Sequence, residues 1–437
     1  MLSIYKISTR AFNLCLLTVV VSAILINSTR GETLKELIVP LLESHNLVVA
    51  SENDLKASKE RLKVSRGAWF PTATVTTHYG KEKQNKTSGT DDTDLISRQA
   101  DLTVNQLLWD FGSTNSIVKA ADYGVKSSDY LLESTKQDLI LRGATAYLNV
   151  IRTWRGLGYA RQSELNIKKQ TELENSLVKK GAGISSDALQ AKATLSGAQA
   201  RRVGAEGALA VARNAYRSVF QSDPSNFKNL KVPKLIKNII PKTVDDAVKI
   251  ALRGNPKLRA SDMGAAIALE TINSTKSSSF YPKFDVIAST LYKHNAGGAI
   301  GHQEDRSLKV QMSFPFNLGF TAINTLKAAK NDATSASLKV GETRDLIEQL
   351  VRDSWANLKT ARSTRWFLRN QATISSEFLE LARKERKLGN RSLLDVLNGE
   401  TALINAQSDA SSAEVDVIIA RFTLINALGR LNPNALK

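Results

Sequence analysis

The chain holds one cysteine in 437 residues. Cys15 falls within residues 1–30, so the rest of the chain carries no disulfide and no thiolate metal site. There are nine prolines, and none lies between Ser113 and Lys180 or between Phe320 and Lys387. Proline breaks helix interiors, so these two stretches can run unbroken while the prolines mark joints. Beyond residue 26 no apolar run reaches about 18 residues, which excludes a transmembrane helix and leaves any membrane crossing to strands. His45, His78, His294 and His302 are scattered, and neither they nor the carboxylates fall into a spaced metal motif. There is no phosphate loop and no nucleophile elbow. Nothing here points to an enzyme, and no cofactor is expected.

Positive charge, by contrast, is in excess, at a formal +18. Part of it belongs to the N-terminus, where Lys6 and Arg10 precede the apolar run Ala11–Ile26 and polar residues follow to Arg30. A basic segment followed by an apolar one of this length reads as a secretory signal peptide over residues 1–30. The remainder is still strongly basic, but its lysines and arginines are spread along the chain rather than clustered. An exported protein with that distribution is not expected to bind nucleic acid.

The chain repeats itself. Thr33-Leu34-Lys35-Glu36 and Thr243-Val244-Asp245-Asp246 each place an acid three residues after a threonine, the pattern of a helix N-terminal capping box. Trp69-Phe70-Pro71 answers Phe280-Tyr281-Pro282, and Gly112 answers Gly319. Tyr147 answers Trp355, Gly181 answers Gly389, Asp187 answers Asp395 and Ala198 answers Ala406, each 208 residues on. One unit has been duplicated. The first repeat covers residues 31–223, with a short helix, a β-hairpin at 70–110, a long helix at 113–180 and a second helix at 185–221. A linker of 224–254 follows. The second repeat, 255–431, has its hairpin at 282–317, its long helix at 320–387 and its last helix at 392–430, before a tail of 432–437.

A helix of 68 residues spans roughly 100 Å, far beyond the globular mean. In the last helix Leu403, Ala406, Ala410, Ala413, Val417, Ala420, Leu424, Ala427 and Leu431 step by three and four, which is coiled-coil packing. The same register in the first repeat gives Leu195, Ala198, Arg202, Ala205, Leu209, Ala212, Tyr216 and Val219, with one polar exception. Tyr147, Trp154 and Trp355 sit at core-like spacing and read as packing. Thr72–Tyr79 is β-branched, Lys81–Ser97 reads as a polar loop, and Leu308, Val310, Met312 and Phe314 alternate with Ser307, Lys309, Gln311 and Ser313. That alternation describes a strand with one apolar face. Such a face suits either lipid or a soluble core. Two hairpins per chain give four strands, too few to close a membrane barrel, and an open edge in lipid is not tolerated. Three chains supply twelve strands and twelve helical columns, which can close. The expected fold is therefore mainly α with a small β part. Long antiparallel coiled-coil helices form an α-barrel tunnel, and four strands per chain contribute to a trimeric 12-stranded membrane β-barrel.

In this order the residues resemble the TolC-type outer-membrane channel family, exit ducts of Gram-negative efflux and type I secretion systems. The resemblance rests on the duplication, on Asn255-Pro256-Lys257-Leu258, on Asn105-Gln106-Leu107-Leu108-Trp109-Asp110-Phe111-Gly112 and on the run from Gly389 to Leu397. It implies a homotrimer in the outer membrane that extends into the periplasm and does no chemistry itself. It also implies two partners, a periplasmic adaptor protein and an inner-membrane transporter, ABC or proton-driven. Acidic rings close the periplasmic aperture in the family. Asp395 matches the first, whereas Asn398 stands one turn on where some relatives have a second acid. The family's Tyr–Asp–Arg latch matches Asp187 and Arg391, but Arg386 replaces the tyrosine, so Arg386 or Arg391 is expected to pair with Asp187. The turns at Gly181, Gly183 and Ile184 and at Gly389 and Asn390 are the expected adaptor contacts. The alternative from another class is a periplasmic coiled-coil adaptor without a pore, which would need a domain of many short strands between its helical arms.

Overall fold

In a computed structural model, the described residues are 33–435 save 86, 88–91, 225, 234–238 and 317. The expected signal peptide lies outside them. Two compact units share the chain. One comprises Asn46–Thr135 and Leu252–Gln349, the other Met1–His45, Lys136–Ala251 and Leu350–Lys437.

The first unit carries helix α2 (Asn46–Gly67), strands β1 (Thr72–Gln84) and β2 (Thr93–Trp109), helix α6 (Pro256–Phe280) and strands β3 (Lys283–His294) and β4 (His302–Ser313). The two hairpins join through β2 and β3 into one antiparallel sheet ordered β1-β2-β3-β4. The register sets Val75 opposite Leu102, Val104 opposite Ala288, Val286 opposite Val310 and Phe284 opposite Met312. These residues therefore share one face, since strand side chains alternate. The face is apolar and uncovered in the chain: Val75, Leu308 and Val310 are each at least 70% exposed. Thr74, Thr103, Ser289 and Ser307 line the other face, where the last two bond hydroxyl to hydroxyl at 2.9 Å. From Phe284 to Tyr292 the apolar face runs about 26 Å of strand, comparable to the apolar band of an outer-membrane barrel. At the end of the sheet nearest the helices, Trp109, Phe111 and Tyr281 form a chain of ring contacts at 6.0 and 5.0 Å.

The strands are longer than their sequence suggests. Lys81–Gln84 and Thr93–Ser97, expected as loop, are paired ladder, with Lys81 Nζ 3.0 Å from Asp94. Thr93 and Ser97 are buried there and Glu82 accepts from Gly297 N–H, so one face is covered, but by polar groups, and the sequence shows no apolar alternation.

The second unit holds helix α1 (Leu34–Ser44), α4 (Ser185–Phe220), α5 (Val244–Gly254) and α8 (Leu393–Ala427). The 67-residue helices α3 (Ser113–Lys179) and α7 (Thr321–Lys387) have residues in both units. The first capping box is formed in full, since Glu36 N–H donates to Thr33 Oγ1 and Thr33 N–H donates back to Glu36, while at Thr243 the Asp246 N–H donates to Oγ1 and the hydroxyl donates to the Asp246 carboxylate. Pro40 sits inside α1 rather than at a joint. Both Pro40 and Glu36 are exposed, so the carbonyl that loses its partner to the proline ring stays hydrated.

The core of this unit gathers Leu34, Ile38, Ile140, Tyr147, Leu148, Tyr216 and Phe422. Tyr147 is fully buried and donates its hydroxyl to Lys231 O at 2.9 Å, while Trp154 and Trp355 are half-buried. Along α8 the seam at Ala406, Ala413, Val417, Leu424 and Ala427 is buried, and so is a second stripe of Ile404, Val415, Phe422 and Ile425. The 3-4 seam alone missed that stripe, because α8 packs on two sides. Arg202, the polar exception in the α4 seam, is neutralised by Glu164 at 2.6 Å and Glu206 at 2.8 Å.

The Arg202 guanidinium, with Arg161 beyond it, holds Glu206 below the usual carboxylate range. A depressed carboxyl stabilises the fold above its unfolded pKa, and that contribution disappears as pH falls through the folded value. Thermal melts between pH 6 and pH 3 should show a smaller acid loss for Glu206→Gln than for the parent chain. Equal losses would show that the Arg202 pair does not contribute to acid stability.

Candidate functional site at the helical tips

Each repeat turns over at a glycine in the left-handed region, where a side chain is disfavoured. After α3, Gly181 has φ +73°, its N–H donates to Val178 O, and Ala182 N–H donates to Leu177 O at 3.0 Å. After α7, Gly389 has φ +81°, its N–H donates to Arg386 O, and Asn390 N–H donates to Glu385 O at 3.0 Å. Both are Schellman endings, satisfying the last carbonyls of the long helices. Gly183 is fixed differently: a Cβ there would stand 2.7 Å from Val178 N.

The returning helices begin unequally. Ser392 caps α8 by accepting Asp395 N–H at 3.2 Å, whereas Ile184 heads α4 with no side-chain cap. Ile184 is 66% exposed and Leu388, beside the other turn, 76% exposed. Asp395 and Asn398 are exposed on one face of α8, while Leu393, Val396, Leu397 and Glu400 turn inward.

The charged residues gather around Arg386. Its guanidinium lies 3.2 Å from Glu174 Oε1 and 3.9 Å from Asp187 Oδ2, and its Nη1 donates to Arg391 O at 3.3 Å. Arg391 does not reach Asp187. It pairs with Glu385 at 2.9 Å and lies over the Phe378 ring at 5.1 Å. Glu174 is only 3% exposed and also accepts from Gln170 at 3.0 Å. One helical turn along α7, Arg383 pairs with the buried Glu400, which also accepts from Asn166 at 3.4 Å. Two arginines on one face of α7 thus meet two buried carboxylates, one on α3 and one on α8. The sequence reading missed Glu174, Glu400 and Arg383. The available signal was a carboxylate on each buried stripe: Glu174 follows Ile167 and Thr171, and Glu400 follows Leu393 and Leu397. Among the described residues no group of three or more His, Cys, Asp or Glu could hold a metal ion.

A sheet apolar on one face and polar on the other, carried with 67-residue helices that end in paired tips, belongs to the class of membrane-seated helical ducts. The family model "Outer membrane efflux protein" matches residues 37–219 and again 247–430, one match per repeat. The chain is 24% identical to the outer membrane efflux protein BepC of Brucella suis over 93% of this chain and 87% of that protein. It is 25% identical to the outer membrane protein TolC of Vibrio cholerae, over 88% and 87%. A crystal structure of a membrane protein from Pseudomonas aeruginosa superposes with a TM-score of 0.81 at 20% identity, covering 90% of this chain and 93% of that one. The chain belongs to the outer membrane efflux protein family, whose members are outer-membrane channels. Nothing in these matches supports the adaptor alternative, and the described residues hold four strands in one sheet rather than a many-stranded domain.

Removing one partner of a buried ion pair costs about 3–5 kcal/mol, an exposed pair about 1 or less. Arg386→Ala, which strands Glu174, should therefore lower the melting temperature and raise closed-state conductance more than Asp187→Ala. Equal effects in both assays would place the working contact at Asp187 instead.

Proposed function

We propose that three copies of this chain close a twelve-stranded barrel in the outer membrane, continued by a helical duct through the periplasm. The duct is a passive conduit for efflux or type I secretion and catalyses nothing itself. An inner-membrane transporter, ABC or proton-driven, supplies the energy, and a periplasmic adaptor opens the tips. The observation that carries this reading is the two-faced sheet, whose uncovered apolar face suits lipid and whose opposite face suits a water-filled lumen.

At the tips, the turns at Gly181, Gly183 and Ile184 and at Gly389 and Asn390 offer the adaptor a surface. Ile184 and Leu388 support this, since both are apolar side chains left largely exposed beside the turns. Asp395, exposed one turn into α8, gives a ring of three carboxylates in the trimer, with Asn398 beside it. Carboxylate rings favour cations. Arg386, held by Glu174 and near Asp187, forms the latch between the tips, with Arg391 contributing its carbonyl. An adaptor that pulls α7 away must break these contacts.

Protein extracted in detergent from a washed outer-membrane fraction should have the mass of three chains. A monomer recovered from the soluble periplasmic fraction would overturn the duct reading. In planar bilayers Asp395→Asn should reduce cation preference, and an unchanged selectivity would remove Asp395 from the aperture.

A further inference from the structure

The far end of the β3–β4 hairpin holds two histidines that the duct reading does not use. His294 and His302 are directly opposed in the register. The next pair outward is hydrogen-bonded, with Asn295 N–H donating to Gly301 O at 3.0 Å. His294 and His302 therefore occupy a non-hydrogen-bonded pair, the type in which side chains stand closer. Their rings stack with centroids 4.3 Å apart. The turn that joins them is held in place: Gly301 N–H donates to Asn295 Oδ1 at 2.8 Å, and Gly297 N–H donates to the Glu82 carboxylate at 3.0 Å.

One nitrogen of each ring is left without a hydrogen bond. His302 Nδ1 lies 2.8 Å from the Tyr292 hydroxyl, which leaves Nε2 open. His294 Nδ1 is buried without a hydrogen-bond partner, while its Nε2 lies 3.4 Å from Asn295 Nδ2. Arg98, opposite His294 on β2, turns its guanidinium over the Tyr79 ring at 5.6 Å. His302 is exposed, so an ion can reach its Nε2, and His294, whose one polar contact is the long one to Asn295, is the ring that turns to meet it.

We propose that His294 and His302 form a two-histidine site for a borderline divalent cation of the zinc, copper(II) or nickel(II) class, with water completing the coordination. Imidazole suits these metals. When Nε2 ligates, the non-ligating Nδ1–H of His302 donates to the Tyr292 hydroxyl oxygen, which fixes tautomer and ring orientation. A bound ion clasps β3 to β4 at the hairpin's outer end. The site needs only the hairpin, so it stands or falls apart from the tip assignments.

The test uses the full mature chain without an affinity tag, in detergent, with Zn²⁺ as the probe and metal content measured after gel filtration. One ion per chain should be retained at pH 7.5, and a chelator should remove it. His302→Gln and His294→Gln should each abolish retention, Tyr292→Phe should weaken it by about 10-fold, and His78→Gln should leave it intact. Circular dichroism of each variant confirms that the sheet is present. Retention that survives His302→Gln, or no retention at millimolar Zn²⁺, would overturn the proposal.

Discussion

Backbone N–H and C=O groups have no water to bond within a lipid bilayer, and this constraint governs the rest of the structure. The sheet ends at β1 on one side and β4 on the other, and both outer edges lack a strand partner among the described residues. An unpaired edge in hydrocarbon costs several kcal/mol per group. One chain is therefore incomplete in a membrane, and the duplication supplies only four strands where closure needs more. The apolar face of β4, with Leu308, Val310 and Met312 uncovered, makes sense only beside a second apolar phase.

The helical unit solves a different problem. Long helices with small residues at their seams pack closely but weakly per residue, so register along them must be fixed at intervals. The core around Tyr147, Tyr216 and Phe422 fixes it midway. At the tips, Arg383 and Arg386 fix it through Glu400 and Glu174. A buried carboxylate tolerates its site only while its cation is present, so each pair makes this packing specific and also gives it a point of failure. The half-buried Asp187, 3.9 Å from Arg386, lies at the margin of that cluster rather than at its centre.

Much of this was legible in the residues. The 208-residue offset exposed the duplication, Thr33 and Thr243 marked the starts of two matching short helices, and the alternation of Ser307–Ser313 identified a two-faced strand. These signals are local, set by side-chain periods of two or 3.6 residues. What the residues hid was long-range or lay where no face is distinguished. Lys81–Gln84 lies in ladder without apolar alternation because all four side chains are polar. The β2–β3 pairing joins segments nearly two hundred residues apart. The second stripe of α8 and the partners of Glu174 and Glu400 depend on which helices pack together, which spacing within one helix does not reveal.

The absence of cysteine from residues 31–437 opens the most direct test of the two-faced sheet. Single cysteines placed from Ser307 to Met312 and spin-labelled in reconstituted outer-membrane lipid report contact with lipid-soluble oxygen or with a water-soluble relaxation agent. Labels at 308, 310 and 312 should respond to oxygen, and those at 307, 309 and 311 to the aqueous agent. If all six positions respond to the aqueous agent alone, the face never meets lipid, and the chain is not the wall of a membrane duct.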